Sequence, residues 1–311
     1  MDDAGGTVPP RDEAGPDGPA ERTSGIILET CYRHPRETTG VHCTRCGRPI
    51  CPECMRPAAV GYQCPECVAE ARASFPRRRV QVKFVLGRPG ALTTSLLAIN
   101  LAMFVVEVAV GGARSLASGP SELKLFNLGA MYPPAIAHGQ YWRLFTAMFL
   151  HAGLVHIAFN MYALYLFGYL IEEAFGKVRF LLIYLVAGLL ASVASYTFSD
   201  PHAVAVGASG AIFGLLGAWV AYNYRRRGTP AAAFQLRWAL MLIGINLILG
   251  FSIAIIDNNA HIGGLIAGIA AGTLADGIGP RSTRALVQVL GFAALIGIGV
   301  VMTIARTAAL T

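Results

Sequence analysis

The chain has 311 residues, 54% of them hydrophobic and 14% charged, with a net charge of +7 at pH 7. A soluble domain carries about 25% charged residues, so the composition excludes a single soluble globular domain. The basic excess lies mostly in arginines between long apolar runs, where it speaks to membrane topology and contact with anionic lipid before nucleic acid.

Residues 1–29 are rich in Gly, Pro, Asp, Glu and Ala and are expected to form a disordered tail, since they cannot bury enough apolar surface to offset ordering entropy. No secretory signal peptide is expected, because the first long apolar run begins near Ala91. All seven cysteines lie between Cys31 and Cys67. They fall into the pairs Cys31-x2-His34, Cys43-x2-Cys46, Cys51-x2-Cys54 and Cys64-x2-Cys67. Four pairs offer eight ligands, enough for two tetrahedral zinc ions, with His34 completing the odd cysteine count. Disulfides are the competing reading, but the cytoplasmic side to which this part is assigned below is reducing. A module of about 30–70 is therefore expected to need its metal to fold. Its sites are closed and structural, which makes it a partner-binding or regulatory domain; direct nucleic-acid binding is the weaker alternative. A basic linker, about 71–90, includes "FPRRRVQVKF".

Seven apolar segments follow, at about 91–111, 143–171, 178–198, 204–224, 236–256, 260–277 and 285–305. Each approaches the roughly 20 residues that span a bilayer as a helix. The second begins interfacially at "YWRLFTAMFLHAG" and becomes regular at "LVHIAFNMYALYLFGYLI". Arg77, Arg78 and Arg79, then Lys177 and Arg179, then Arg225, Arg226, Arg227 and Arg237, then Arg281 and Arg284 occupy alternate connections. Short connections on the other side, about 199–205 and 256–260, carry no Lys or Arg. The pattern predicts a cytoplasmic N-terminus and an external C-terminus. The long connection of about 112–141 is then external despite Arg114 and Lys124.

Polar residues of three segments fall at comparable depth toward the external side. Ser209, in "GASG", is about five residues into the fourth segment, or about 7 Å at 1.5 Å per residue. His261 lies near the external start of the sixth. His156 and Asn160, in "HIAFN", share one helix face at i,i+4 in the second. Each has a bland reading: a membrane serine often bonds a carbonyl of its own helix, and an asparagine can bridge helices. A membrane histidine is more costly and more often functional. His151 and His156, near a segment start, are alternatively interfacial or metal-binding. Together the residues have the parts for acyl transfer. Ser209 needs a base, which His261 can supply; an oxyanion needs donors, which His156, Asn160 and the Ser209 N–H can supply. Gly210 and Gly214, and Gly264, Gly268 and Gly272, are four apart and let the fourth and sixth helices approach closely.

The stretches "WRLFTAMFLHAGLVHIAFNMYAL", "GASGAIFG" and "AHIGGLIAG", in this order, resemble the rhomboid family of intramembrane serine proteases. GxSG alone is not specific, since soluble hydrolases carry it after a strand. The resemblance implies an all-α polytopic membrane protein: a rhomboid-like six-helix core at 91–280, one additional C-terminal transmembrane helix at 281–311, and a small zinc-binding domain before them. It implies a dyad of Ser209 as nucleophile and His261 as base and then acid, with His156, Asn160 and the Ser209 amide at the oxyanion. Trp142 and Arg143 would belong to an external loop lying partly in the membrane. Asp257 precedes His261 by one turn, but the family uses a dyad, so Asp257 is left outside the site. Implied substrates are transmembrane helices of other proteins, cut near their ends within the lipid bilayer. No cofactor is implied for catalysis.

The cysteine segment resembles a B-box-type zinc finger. That likeness implies interleaved pairing: Cys31, His34, Cys51 and Cys54 on one zinc, and Cys43, Cys46, Cys64 and Cys67 on the other; sequential pairing is the alternative. A protein partner for this module is expected, and nucleic acid is not. The expected location is a bacterial plasma membrane, with the site open to the external side. Two alternatives stand beside the protease: a non-proteolytic rhomboid-like protein that binds membrane clients, and a transporter using the polar residues as a pathway. Inactive relatives typically lack the serine or the histidine, and both are present here.

Overall fold

The computed structural model describes residues 28–74, 90–253 and 256–311. Most of the predicted tail, and most of the predicted linker, lie outside these residues. The chain divides into two compact units, Met1–Gln81 and Val82–Thr311.

The first unit has two short antiparallel hairpins. β1 (Glu29–Thr30) pairs with β2 (Thr38–Thr39), and β3 (Arg56–Pro57) with β4 (Tyr62–Gln63). A helix, α1 (Pro65–Ser74), follows. Its buried centre consists of Ile50 and six of the seven cysteines, Cys46 being exposed. So little aliphatic surface cannot offset the ordering entropy of the segment, and small scaffolds of this kind depend on a staple such as a metal.

The second unit is helical. α2 (Ala91–Gly111) leads into α3 (Ser115–Ser118), α4 (Glu122–Leu128), α5 (Pro133–Ala137) and α6 (Arg143–Thr146). A 3-10 turn, Ala147–Phe149, precedes α7 (Leu154–Phe175). α8 (Lys177–Phe198), α9 (Ser209–Arg225), α10 (Pro230–Ser252), α11 (Asn258–Asp276) and α12 (Arg284–Leu310) complete it. Five described helices, α2, α7, α8, α10 and α12, are long and apolar enough to cross a membrane. α9 and α11 have 17 and 19 residues and are rich in Gly and Ala. α9 is enclosed along most of its length, so its surface meets protein rather than lipid. α10 and α12 have the opposite character, exposing Leu240, Ile248, Phe251, Val289 and Ile304 as lipid-facing helices do.

α8, α9 and α11 pack at the centre. A Cβ on Gly264 would overlap the carbonyl of Gly210, and one on Gly268 the backbone of Gly214. The two helices therefore touch backbone to backbone, as the glycine spacing predicts. They also run parallel. Their first turns meet at Ser209 and His261, and their ends at an ion pair of Asp276 with Arg225 (2.9 Å) and Arg226 (2.8 Å). The edge helices are tied on by polar contacts. Glu172 of α7 caps α2, accepting from Leu92 N–H (3.2 Å), Thr93 N–H (2.8 Å) and the Thr93 hydroxyl (2.7 Å). Gln288 of α12 donates to the carbonyls of Leu274 and Ala275 in α11.

Three boundaries differ from the sequence reading. The second apolar segment is broken at Gly153, whose φ of +107° and contact with the Ala117 carbonyl leave no room for a side chain. The fourth helix starts at Ser209, not near residue 204, because Met131 and Ala205 pair as an isolated bridge with both hydrogen bonds at 3.0 Å. Ser209 is thus the first helical residue rather than a residue one turn inside. The fifth starts earlier, at Pro230, where the Thr229 hydroxyl accepts from Ala232 N–H (3.3 Å) and proline suits the first position.

Candidate active site

Gly207 sets the site. It adopts φ +133°, and its N–H donates to the Ala147 carbonyl at 2.9 Å. A Cβ there would lie 2.9 Å from His156 Nε2 and 3.7 Å from Ser209 Oγ. Only glycine leaves that shared space open, so the first glycine of "GASG" belongs to the site as much as to the turn. Ala208 is fully buried and Ser209 opens α9. The N–H of Ser209 is consequently one of the first-turn donors that an α-helix leaves without an intrahelical partner.

Ser209 Oγ lies 2.9 Å from His261 Nε2. His261 is 8% exposed, and its ring stacks on Phe213 at 4.2 Å between centroids and 11° between planes. Phe213 sits one turn beyond Ser209 on the same helix, so α9 supplies both the hydroxyl and the surface that orients the imidazole. His261 Nδ1 has no partner among the described residues. Asp257 is engaged elsewhere: it caps α11 through Ala260 N–H (3.0 Å) and accepts the Ser195 hydroxyl. The geometry is that of a hydroxyl–imidazole pair held by stacking, with no carboxylate of the described residues on the second nitrogen.

His156 Nδ1 faces the N–H of Ala152 at 3.3 Å. An Nδ1 that accepts leaves the proton of a neutral imidazole on Nε2, the nitrogen beside Gly207 and Ser209. Asn160, one turn along α7, is 5% exposed and its Nδ2 has no partner among the described residues. A buried amide without an acceptor is costly and is available to a negative oxygen.

One residue beside this site, Glu107, has no part in the sequence reading, and it meets His151, which the sequence reading leaves as interfacial or metal-binding. Glu107 of α2 is fully buried and accepts the N–H of His151 through both carboxyl oxygens (3.0 and 3.1 Å). His151 is itself fully buried and packs edge-on to His156 at 5.2 Å between centroids. The available signal was an acidic residue inside an apolar run, a placement that is expensive in a membrane. Trp142 is half exposed, whereas Arg143 is buried, donating to Gln140 Oε1 (2.6 Å), the Phe126 carbonyl (2.6 Å) and the Ala130 carbonyl (3.0 Å). Arg143 thereby pins α4 to α6.

In the first unit the side chains gather into two groups, Cys31, His34, Cys51 and Cys54, and Cys43, Cys46, Cys64 and Cys67, with the ligand atoms of each within 4.8 Å of one another. All seven cysteines are free. Cys46 and Cys64 sulfurs are 3.8 Å apart, and His34 Nδ1 is 3.1 Å from Cys51 and 3.5 Å from Cys54. Bonds of about 2.3 Å to sulfur and 2.0–2.1 Å to nitrogen give tetrahedral edges of about 3.8 and 3.5 Å, so the donors are spaced for a four-coordinate metal rather than for a disulfide. His34 Nε2 faces Glu53 at 4.0 Å, as the outer nitrogen of a ligating histidine often faces a carboxylate.

The thiols differ in acidity. Burial acts to raise Cys31 and Cys43, but nearby backbone N–H donors outweigh it and bring each down to about 6. Burial, followed by the neighbouring thiols, pushes Cys54 and Cys67 up to about 12. Such a group accumulates several thiolates only with a cation among them, so each can hold a metal ion.

The Rhomboid domain family model matches residues 138–276, a stretch that contains α6 to α11 and all four residues of the candidate site but not the cysteine module. Rhomboid protease GluP of Bacillus subtilis (strain 168) is 40% identical over 197 residues, or 63% of this chain and 36% of that protein. RHOMBOID-like protein 6, mitochondrial, of Arabidopsis thaliana is 39% identical over 161 residues, half of each chain. The chain thus spans between about a third and a half of the length of these two relatives. Rhomboid-like protease 1 of Toxoplasma gondii is 30% identical over 213 residues, which are 66% of this chain and 70% of that protein. With that coverage, and with membrane-capable helices around the Ser209–His261 pair, the chain is a multi-pass membrane protein that belongs to the rhomboid family.

Proposed function

We propose that the chain is an intramembrane serine endopeptidase that cuts transmembrane segments of other proteins. The observation that carries this reading is the 2.9 Å contact between Ser209 Oγ and His261 Nε2 within a bundle of membrane-capable helices. That GluP and the Toxoplasma relative are named as proteases supports the same activity.

In the proposed reaction Ser209 Oγ attacks the scissile carbonyl and its proton passes to His261 Nε2. The developing oxyanion is met by His156 Nε2–H, Asn160 Nδ2 and the Ser209 N–H. His261 then protonates the leaving amine, and water repeats the sequence on the acyl-enzyme. Charge-assisted hydrogen bonds strengthen where water is scarce. The substrate helix must unwind locally, since an intact helix shields its carbonyls.

The N-terminal module is read as a B-box-type finger holding two structural zinc ions, with Cys31, His34, Cys51 and Cys54 on one and Cys43, Cys46, Cys64 and Cys67 on the other. Zinc would supply folding energy and no catalysis. A protein partner or a regulatory role follows from its closed sites. Alternating Lys/Arg placement supports a cytoplasmic N-terminus and an external site, in what we read as a bacterial plasma membrane.

Cleavage of a transmembrane reporter by the full chain in liposomes tests the activity. Wild type should release product and Ser209→Ala should not. Equal product from both removes Ser209 from the mechanism. Client capture without any product, unchanged in Ser209→Ala, supports the client-binding reading instead.

A further inference from the structure

We propose that Arg225, Arg226 and Arg284 form a binding site for a phosphate-bearing anion, at the end of α9 and α11 remote from Ser209. Arg225, Arg226, Asp276, Gly277 and Arg284 line an open pocket of about 300 Å³. Three guanidinium groups face one carboxylate there, which leaves a cationic excess.

The two arginines at the end of α9 are fixed. Arg226 forks onto Asp276 with bonds of 2.8 and 3.0 Å and lies over the Tyr222 ring at 3.7 Å. Arg225 bridges Asp276 at 2.9 Å and the Gly277 carbonyl at 3.1 Å. Asp276 therefore serves to hold two arginines rather than to repel an anion.

Arg284 is different. Its side chain lies against Gly277, where a Cβ would collide with it, and its Nε is buried with no partner among the described residues. Gln288, one turn further along α12, anchors that helix to the Leu274 and Ala275 carbonyls and so keeps Arg284 at the pocket. A confined guanidinium with an unspent donor, beside two others held in place, matches the forked recognition of phosphate oxygens. α9 spans about 25 Å at 1.5 Å per residue, so a pocket at the end of such a helix sits at headgroup level in a bilayer core of about 30 Å. A lipid phosphate and a free phosphate offer the same chemistry.

The test is titration of the full chain in neutral detergent, read as the thermal unfolding midpoint. One arm uses phosphatidylglycerol and the other inorganic phosphate, with neutral phosphatidylcholine as reference. Arg284→Gln should raise the half-saturating concentration about fivefold, the loss of one basic contact to an anionic group. Arg281→Gln, an exposed arginine outside the pocket, should leave it unchanged. If Arg284→Gln does not fold, Arg226→Gln, which leaves Asp276 its bond to Arg225, carries the same expectation. An effect in the phosphatidylglycerol arm alone assigns a lipid headgroup, and one in both arms a phosphate from either source. Equal curves for the Arg284 and Arg281 variants in both arms, or phosphatidylcholine matching phosphatidylglycerol, overturn the proposal.

Discussion

The backbone of Gly268 on α11 rests directly against the backbone of Gly214 on α9. This contact lies below Ser209 and His261 on the same two helices and sets the distance at which those side chains meet. Gly268→Ala must push the helices apart, because its Cβ would meet main chain, which cannot rotate aside. Overpacking of this kind costs about 1–3 kcal/mol. We expect a lower unfolding midpoint and at least a tenfold loss of reporter cleavage. Gly297→Ala on α12, where nothing lies within 4 Å, is the control and should leave both unchanged.

Glu172 closes α2 onto α7 through three donors. Glu172→Ala orphans two N–H groups and a hydroxyl, at about 1–3 kcal/mol for each buried group left unpaired. Thr93→Val removes only the hydroxyl and should cost about 1 kcal/mol. Thermal unfolding of the two variants should therefore rank Glu172→Ala well below Thr93→Val. Similar midpoints would mean that water or lipid replaces the carboxylate.

Much of this was legible in the sequence. The i,i+4 pair His156 and Asn160 and the glycine spacings on α9 and α11 are periodic signals, and period survives folding. Hydropathy places Ser209 about one turn inside its helix because it sees Val204 and Val206 as apolar but not that Ala205 pairs with Met131 outside any helix. The connection of about 112–141 reads as one loop, since α3 to α5 are each too short to show a period. Phe213 stacking on His261 depends on a distance between two helices, which no local pattern encodes. Glu107 was visible as a charge in an apolar run, but its partner is a backbone N–H, and backbone partners leave no mark in side-chain sequence.

That backbone bond carries a prediction. Glu107 holds the N–H of His151 in the turn that leads to His156. Glu107→Leu leaves this N–H buried and unpaired, and the turn relaxes. A misplaced His156 weakens the proposed oxyanion contact, which matters in the transition state more than in substrate binding. We expect kcat to fall about tenfold, the equivalent of about 1.4 kcal/mol, with KM nearly unchanged. Glu107→Gln retains a carbonyl acceptor and should restore most of kcat. A matched loss in both variants would assign Glu107 a charge rather than a positioning role.

Metal content separates the two readings of the cysteines. The full chain, purified under reducing conditions without chelator, should carry two zinc ions per chain by atomic emission. Cys67→Ser should leave one, because its group loses a thiolate while Cys31, His34, Cys51 and Cys54 stay intact. Metal binding and folding are one event in a module whose centre is Ile50 and cysteines. A chelator should therefore expose residues 28–74 to limited proteolysis, and zinc should reverse it. Reporter cleavage by the membrane unit should persist after chelation, since the proposed chemistry at Ser209 uses no metal. A chain that holds no zinc and shifts on a non-reducing gel would replace the metal reading with disulfides. Loss of cleavage on chelation, restored by zinc, would instead tie the module's fold to the activity of the membrane unit.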